Sequence, residues 1–277
     1  MNIYTKSLFA LAITALFISG CEVLNFDLEK NTEVVSATDH VFMQSEFTTL
    51  TNTFDLMAQS VNSLNPGEDI EGVLGICSVT KVEVSLSGTI MNMDFGTGCK
   101  CVDGKFRSGM IKATFDKDWN TDGVTMTLTS ENYKVTSTED ITYEADFTAT
   151  IMRTDIQSDK PVYDIKVEDA SYVSDNGTIT WKSERQVVWV EGAGDLDPTN
   201  EVYEITEQSE GVASNEVPFT VKIDTPLRLE ASCEYITAGT ITMTPEGRKD
   251  RVMDYGDGTC DNLVKVSIGS FGAEIKL

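Results

Sequence analysis

The chain has 277 residues, of which 21 are basic and 45 acidic, so its formal net charge is −24. Such an acidic excess argues against nucleic-acid partners and against adsorption to anionic lipid surfaces, because both need clustered lysine and arginine. The length is enough for one large domain or two smaller ones, each with its own core. We expect one extended sheet system.

The first twenty residues have the layout of a signal peptide. One charged residue, Lys6, precedes an apolar run from Leu8 to Ile18 that ends in small residues. This run is too short for a transmembrane helix, which needs roughly 20 apolar residues. Cleavage after residue 20 would leave 20 basic and 45 acidic residues, a formal charge of −25.

The segment Ile18-Ser19-Gly20-Cys21 resembles the lipobox of bacterial lipoproteins, in which one aliphatic and two small residues precede a cysteine. The resemblance implies cleavage before Cys21, a diacylglyceryl group on its thiol, and anchoring by two or three acyl chains. We therefore expect a protein of the cell envelope, anchored by lipid in the outer membrane and facing either the periplasm or the surface. The alternative is an ordinary secretory signal followed by a chance cysteine.

Residues 21–36 are polar and predict a tether, and residues 37–66 predict one amphipathic helix. Asn65-Pro66-Gly67 ends the helix, because proline cannot continue it and glycine permits the turn. We expect the apolar face of the helix to pack on a sheet, and the alternative is a zipper that binds a partner. The apolar positions recur at alternating intervals of three and four residues: Phe47, Leu50, Phe54, Met57, Val61 and Leu64.

Residues 67–277 predict a β domain, because apolar and polar residues alternate with a period of two. The clearest run is Tyr143–Ile151, whose odd-numbered positions are apolar and whose even-numbered positions are polar. Turn signals such as Asp175-Asn176-Gly177 separate the runs, and Asn-Gly favours a tight hairpin. Short strands without helices between them favour an antiparallel meander or a β-sandwich.

Two distant segments, near residues 77–115 and 233–277, are weakly similar to each other and predict an internal duplication. In both, the order is Cys, Gly-Thr-Ile, Met-Asp-aromatic-Gly, Gly and Cys. The first Met-Asp-aromatic-Gly run is Met93-Asp94-Phe95-Gly96 and the second is Met253-Asp254-Tyr255-Gly256.

With these motifs, the lipobox and the run Arg107-Ser108-Gly109-Met110-Ile111, the chain resembles uncharacterised lipoproteins of Bacteroidota. The resemblance covers most of the chain in outline, and its specific motifs occupy about forty residues. It implies an envelope protein and implies no activity.

The cysteines of an exported chain favour disulfides over metal ligands. The symmetry of the repeat predicts a Cys233–Cys260 disulfide and a second one between Cys77 and either Cys101 or Cys99. One thiol is then left over. A zinc site would need four well-spaced cysteines or histidines, and the single histidine, His40, lies in the helix segment.

Carboxylates crowd one glycine-rich turn, where Asp254, Asp257, Asp261 and Asn262 are weak candidates for calcium ligands. The alternative is that Asp and Gly form the turn for backbone reasons alone. We expect no cofactor.

No nucleophile–histidine arrangement or Gly-x-Ser-x-Gly motif occurs, so we expect a non-enzymatic protein that binds a glycan or a surface protein, or has a structural role. Trp181 and Trp189 could stack on sugars if they were exposed, although core packing is the commoner fate of such residues. The alternative function is a carbohydrate-active hydrolase that uses a carboxylate pair across a deep cleft.

Overall fold

The structure is a computed structural model, and the compact body comprises Val34–Leu277. The predicted signal peptide, Cys21, the helix stop at residues 65–67 and Cys77 lie outside the part of the chain that the structure describes. Within that part, no helix is long and apolar enough to cross a membrane. The described residues are 32–60, 69–71, 79–85, 88–101, 103–156, 158, 160–193, 200–230, 232–233 and 235–276.

The N-terminal helix is confirmed as α1, Val35–Ser60. It begins two residues before the predicted start, and Val61 and Leu64 of the predicted stripe lie outside the described residues. The other four stripe positions are at most 1% exposed: Phe47, Leu50, Phe54 and Met57.

The remaining helical and strand elements of the described residues are all strands, which confirms the mainly β fold. Their bounds are β1 Asp69–Glu71, β2 Val79–Ser85, β3 Gly88–Asp94, β4 Cys99–Lys100, β5 Phe106–Phe115, β6 Val124–Thr136, β7 Thr142–Thr154, β8 Val162–Ser174, β9 Gly177–Glu191, β10 Val202–Val212, β11 Pro218–Glu230, β12 Ile236–Pro245, β13 Arg251–Asp257, β14 Leu263–Ile268 and β15 Phe271–Lys276.

All fifteen strands form one sheet, and each strand is antiparallel to its neighbours. The spatial order follows the chain order from β1 to β15, except that the two-residue strand β4 pairs only with β5. Of the two predicted architectures the meander is therefore correct, since a sandwich would divide these strands between two sheets.

One face of the sheet is apolar and the other is polar. In β7 the five apolar positions of Tyr143–Ile151 are buried, and their neighbours are exposed or half-buried. The same alternation continues through β9, from Ile179 to Trp189. We call the apolar side the inner face and the polar side the outer face.

The helix runs along β9 on the inner face. The His40 ring lies 6.3 Å from the Trp181 ring, and Thr48 Oγ1 lies 3.3 Å from Nη1 of Arg185. From His40 to Thr48 the helix rises about 12 Å over eight residues. From Trp181 to Arg185 the strand rises about 13 Å over four residues. The helix and the strand therefore advance by nearly the same distance between the two contacts.

The sheet also curls around both flanks of the helix. Gln44 accepts a 2.6 Å hydrogen bond from Tyr255 of β13, whereas Glu46 accepts a 2.8 Å hydrogen bond from Arg107 of β5. Positions 44 and 46 lie about 200° apart around a helix, so they face opposite sides. Packing thus extends well beyond the single apolar face that the sequence predicts, and nine polar or charged helix residues are buried: Ser36, Asp39, His40, Gln44, Glu46, Thr48, Thr51, Thr53 and Asp55.

The two related motifs share their local structure in part. Asp94 and Asp254 each accept a hydrogen bond from the glycine nitrogen two residues later, at 2.7 and 2.9 Å. The following aromatic residues, Phe95 and Tyr255, are both buried. However, the first Gly-Thr-Ile run shares β3 with its Asp motif, whereas the second lies on β12 and its Asp motif on β13. The structural equivalence therefore covers the Asp-aromatic-Gly segment.

Candidate functional site

A buried ionic cluster fastens the helix to the sheet. The Glu46 carboxylate accepts hydrogen bonds from Arg107 at 2.8 Å, from Lys105 at 3.2 Å and from the Tyr133 hydroxyl at 2.5 Å. Arg107 also donates to Asp103 at 2.6 Å. The side chains of Glu46 and Arg107 are fully buried, so the pair is shielded from water.

The cluster keeps Glu46 ionised. Burial alone would raise the pKa of Glu46, but the charges of Arg107 and Lys105, with hydrogen bonds from Arg107 and Tyr133, lower it from 4.5 to about 2. Burial and the nearby carboxylate raise the pKa of Tyr133, so its hydroxyl keeps the proton that it donates. The geometry is that of a structural clamp.

A β-bulge turns Arg107 towards the interior. The β5–β6 register shifts between Ser108 and Met110, and Gly109 between them has φ +82°. A Cβ at Gly109 would lie 2.1 Å from the carbonyl oxygen of Asn132, so only glycine fits. The Arg-Ser-Gly run entered the sequence predictions only through the resemblance, and no bulge was predicted from it. The glycine within a strand-like run is the signal that could have indicated one, and nothing in the run points to the buried partner Glu46.

A second polar cluster surrounds His40, between the Trp181 and Phe219 rings at 6.3 and 6.1 Å. Glu207 and Arg185 lie beside it and form an ion pair of 3.0 Å. Burial lowers the pKa of His40 from 6.5 to about 4, while the charge of Glu207 raises it and that of Arg185 lowers it. The imidazole is therefore neutral at ordinary pH. Neither of its nitrogens has a hydrogen-bond partner among the described residues.

The cysteines follow the predicted disulfide pattern where the structure describes them. Cys233 and Cys260 are bonded, which confirms that pairing. Cys99 is disulfide-bonded, and Cys101 is a buried thiol whose pKa is raised by burial. Of the two predicted partners of Cys77, Cys101 is therefore not in a disulfide. Cys77 lies outside the described residues, so its pairing with Cys99 stays a prediction.

Three of the four calcium candidates make local hydrogen bonds in turns. Asp254 and Asp261 each accept a backbone N–H from two residues further on, at 2.9 Å, and Asp257 accepts the Thr259 hydroxyl at 3.0 Å. In the described part of the chain no group of three or more His, Cys, Asp or Glu residues could hold a metal ion. Calcium binding at Asn262 and its neighbours stays a prediction.

The two tryptophans of β9 belong to the core. Trp181 is 1% exposed and Trp189 is 5% exposed, so the core-packing interpretation is confirmed. Neither ring can stack on a sugar at the surface. A glycan bound by this protein would have to use other groups.

The outer face carries a broad depression over β8–β12, with a volume of about 940 Å³. Two adjoining depressions, of about 730 and 820 Å³, share walls with it. Register shifts after Val167 of β8 and after Ile205 of β10 lie beneath it, and such bulges bend strands. We call this surface the outer depression. Its main polar side chains are those of Lys166, Glu168, Asp169, Lys182, Glu184, Gln208, Glu210, Thr220, Lys222, Asp224, Thr242 and Thr244.

Charged and neutral polar side chains form a row across the floor of the outer depression. Lys166 lies opposite Glu184, which lies opposite Gln208, which in turn lies opposite Lys222. All these side chains rise from one face of one sheet, so the carboxylates here do not face each other across a cleft. The arrangement suits hydrogen bonding and charge pairing.

Sequence reasoning did not single out these outer residues, because polar positions that alternate along a strand are typical of any solvated sheet face. Only the register brings Lys166, Glu184 and Lys222 into one row. Comparison with protein-family models, curated proteins and solved structures finds no match to this chain.

Proposed function

We propose that this chain is a lipid-anchored protein of the bacterial cell envelope that acts by binding a partner at its outer depression and is not an enzyme. The lipobox at Ile18–Cys21 supports the anchor. The Cys233–Cys260 disulfide supports an oxidising compartment, where such bonds persist.

The observation that carries the binding proposal is the contrast between the two faces of the sheet. Helix α1 fills the inner face, so that Phe47, Phe54 and Met57 are at most 1% exposed. The outer face keeps an open depression of about 940 Å³ with both hydrogen-bond donors and acceptors. Concave surfaces with convergent polar groups are where ligands bind.

The binding proposal is tested by photo-crosslinking in the cells that make the protein. A benzophenone amino acid replaces Gln208, which is exposed on the floor of the outer depression. We expect a discrete adduct after illumination. Digestion with a protease or a glycosidase then identifies the partner as protein or glycan.

The matched control places the same amino acid at Lys265, which is exposed on β14 outside the outer depression. We expect no such adduct there. Equal adducts at both positions, or none at position 208 in protein that folds and reaches the envelope, would refute the proposal.

A further inference from the structure

We infer that the partner of the outer depression is a basic polypeptide segment, rich in lysine or arginine, that binds in an extended form. This inference rests on the proposed function and names the class of partner. It is carried by the charge, the size and the lining of the depression.

Charge is the first argument. The outer depression and its two adjoining depressions expose eight carboxylates against three lysines. The lysines are Lys166, Lys182 and Lys222. The carboxylates are Asp146, Asp164, Glu168, Asp169, Glu184, Glu210, Asp224 and Glu246.

Neighbouring carboxylates already pair with two of the lysines. Lys166 lies 3.0 Å from Glu168 and 4.0 Å from Glu184, and Lys182 lies 3.8 Å from Asp169. Glu168 accepts a hydrogen bond from Lys166 and raises the pKa of that ammonium, as an excess of negative charge would. The surface therefore attracts cations, and the net charge of −24 steers them from a distance.

Size is the second argument. Along β9 the surface extends from Thr180 to Gln186, about 20 Å at the rise of a strand. Across β8–β12 it measures about 19 Å at the usual spacing of strands. An extended peptide of about six residues spans the same length and places alternate side chains against the sheet.

The lining disfavours the other polymers that an envelope offers. Trp181 and Phe219, the large aromatic residues at its edge, are 1% and 3% exposed, so sugar rings have no stacking platform. Anionic glycans would be repelled by the excess of carboxylates on this surface. A basic peptide meets neither obstacle.

The inference is tested with the full-length protein in an uncharged detergent, by fluorescence anisotropy. The probe is a labelled ten-residue peptide of alternating lysine and threonine, and the comparison peptides carry glutamine or glutamate in place of lysine. We expect saturable one-to-one binding of the lysine peptide that weakens with added salt. We expect no measurable binding of the other two.

Two double variants with the same change in charge locate the binding. Glu184→Gln/Glu210→Gln removes two exposed carboxylates of the outer depression, and Glu131→Gln/Glu274→Gln removes two exposed carboxylates outside it. We expect about tenfold weaker binding for the first, because it removes two carboxylates that the peptide would contact, and less than about twofold weaker binding for the second.

Equal weakening of binding by both double variants would mean that the peptide responds only to overall charge, and this result would overturn the inference. An absence of binding of the lysine peptide to the native protein would overturn it as well. A Gln208 adduct in cells without peptide binding, or a Gln208 adduct that proves to be a glycan, would leave the proposed function standing and refute this inference alone. Absence of the Gln208 adduct would refute the proposed function itself.

Discussion

Replacing Glu46 by alanine is expected to lower the free energy of unfolding by about 3–5 kcal/mol, because it leaves the buried charges of Arg107 and Lys105 without their shared partner. Arg107 is fully buried and, among the described residues, keeps Asp103 as its carboxylate partner after the change. Urea denaturation followed by tryptophan fluorescence measures the effect as a lower midpoint at an unchanged slope.

The matched control is Glu131→Ala, an exposed glutamate on β6, for which we expect a change within about 0.5 kcal/mol. Glu46→Gln keeps the shape of the side chain and serves if the alanine variant does not fold. We expect its loss in free energy of unfolding to lie between those of Glu46→Ala and Glu131→Ala. A loss of less than about 1 kcal/mol for Glu46→Ala would contradict the clamp assigned to this cluster.

Acid is expected to destabilise the protein between pH 6.5 and 4 through His40. The native pKa of His40 is lowered to about 4, whereas the unfolded chain binds this proton below pH 6.5. The stabilisation from a neutral His40 is therefore fully present above pH 6.5 and is lost as pH falls to 4. The size of this loss is about 3 kcal/mol.

The measurement is the free energy of unfolding across this pH range for the native protein and for His40→Leu. Leucine cannot titrate, so we expect a clearly shallower pH dependence for the variant. The contribution of Glu46 to stability is lost at lower pH, between 4.5 and about 2, because its native pKa of about 2 lies below its usual 4.5. Parallel curves for the two proteins between pH 6.5 and 4 would show that His40 does not titrate as the structure implies.

The strands could be predicted from sequence because their signals are local. Alternation over Tyr143–Ile151 reports the two faces of β7 directly, and Asp175-Asn176-Gly177 marks the β8–β9 hairpin, where Gly177 adopts φ +128°. The Cys233–Cys260 pair followed from the order of motifs. These features depend on residues that lie close together in the chain or that recur in it.

The enclosure of the helix could not be predicted in the same way. Glu46 and Arg107 are 61 positions apart, and their contact exists only because the sheet curls around α1. An apolar stripe such as Phe47, Leu50 and Phe54 predicts one packed face of the helix. It does not predict that polar residues on the other faces of the helix are buried. The outer depression likewise depends on bulges whose positions the alternation pattern does not reveal.

Lipid attachment at Cys21 is the claim on which the assignment to the envelope rests, and metabolic labelling with an alkynyl fatty acid tests it most directly. We expect label on the native protein and on Cys101→Ser, which changes a cysteine inside the folded body, and none on Cys21→Ser. Label that persists on Cys21→Ser, or an unlabelled native protein at equal amounts on an immunoblot, would contradict the lipid anchor.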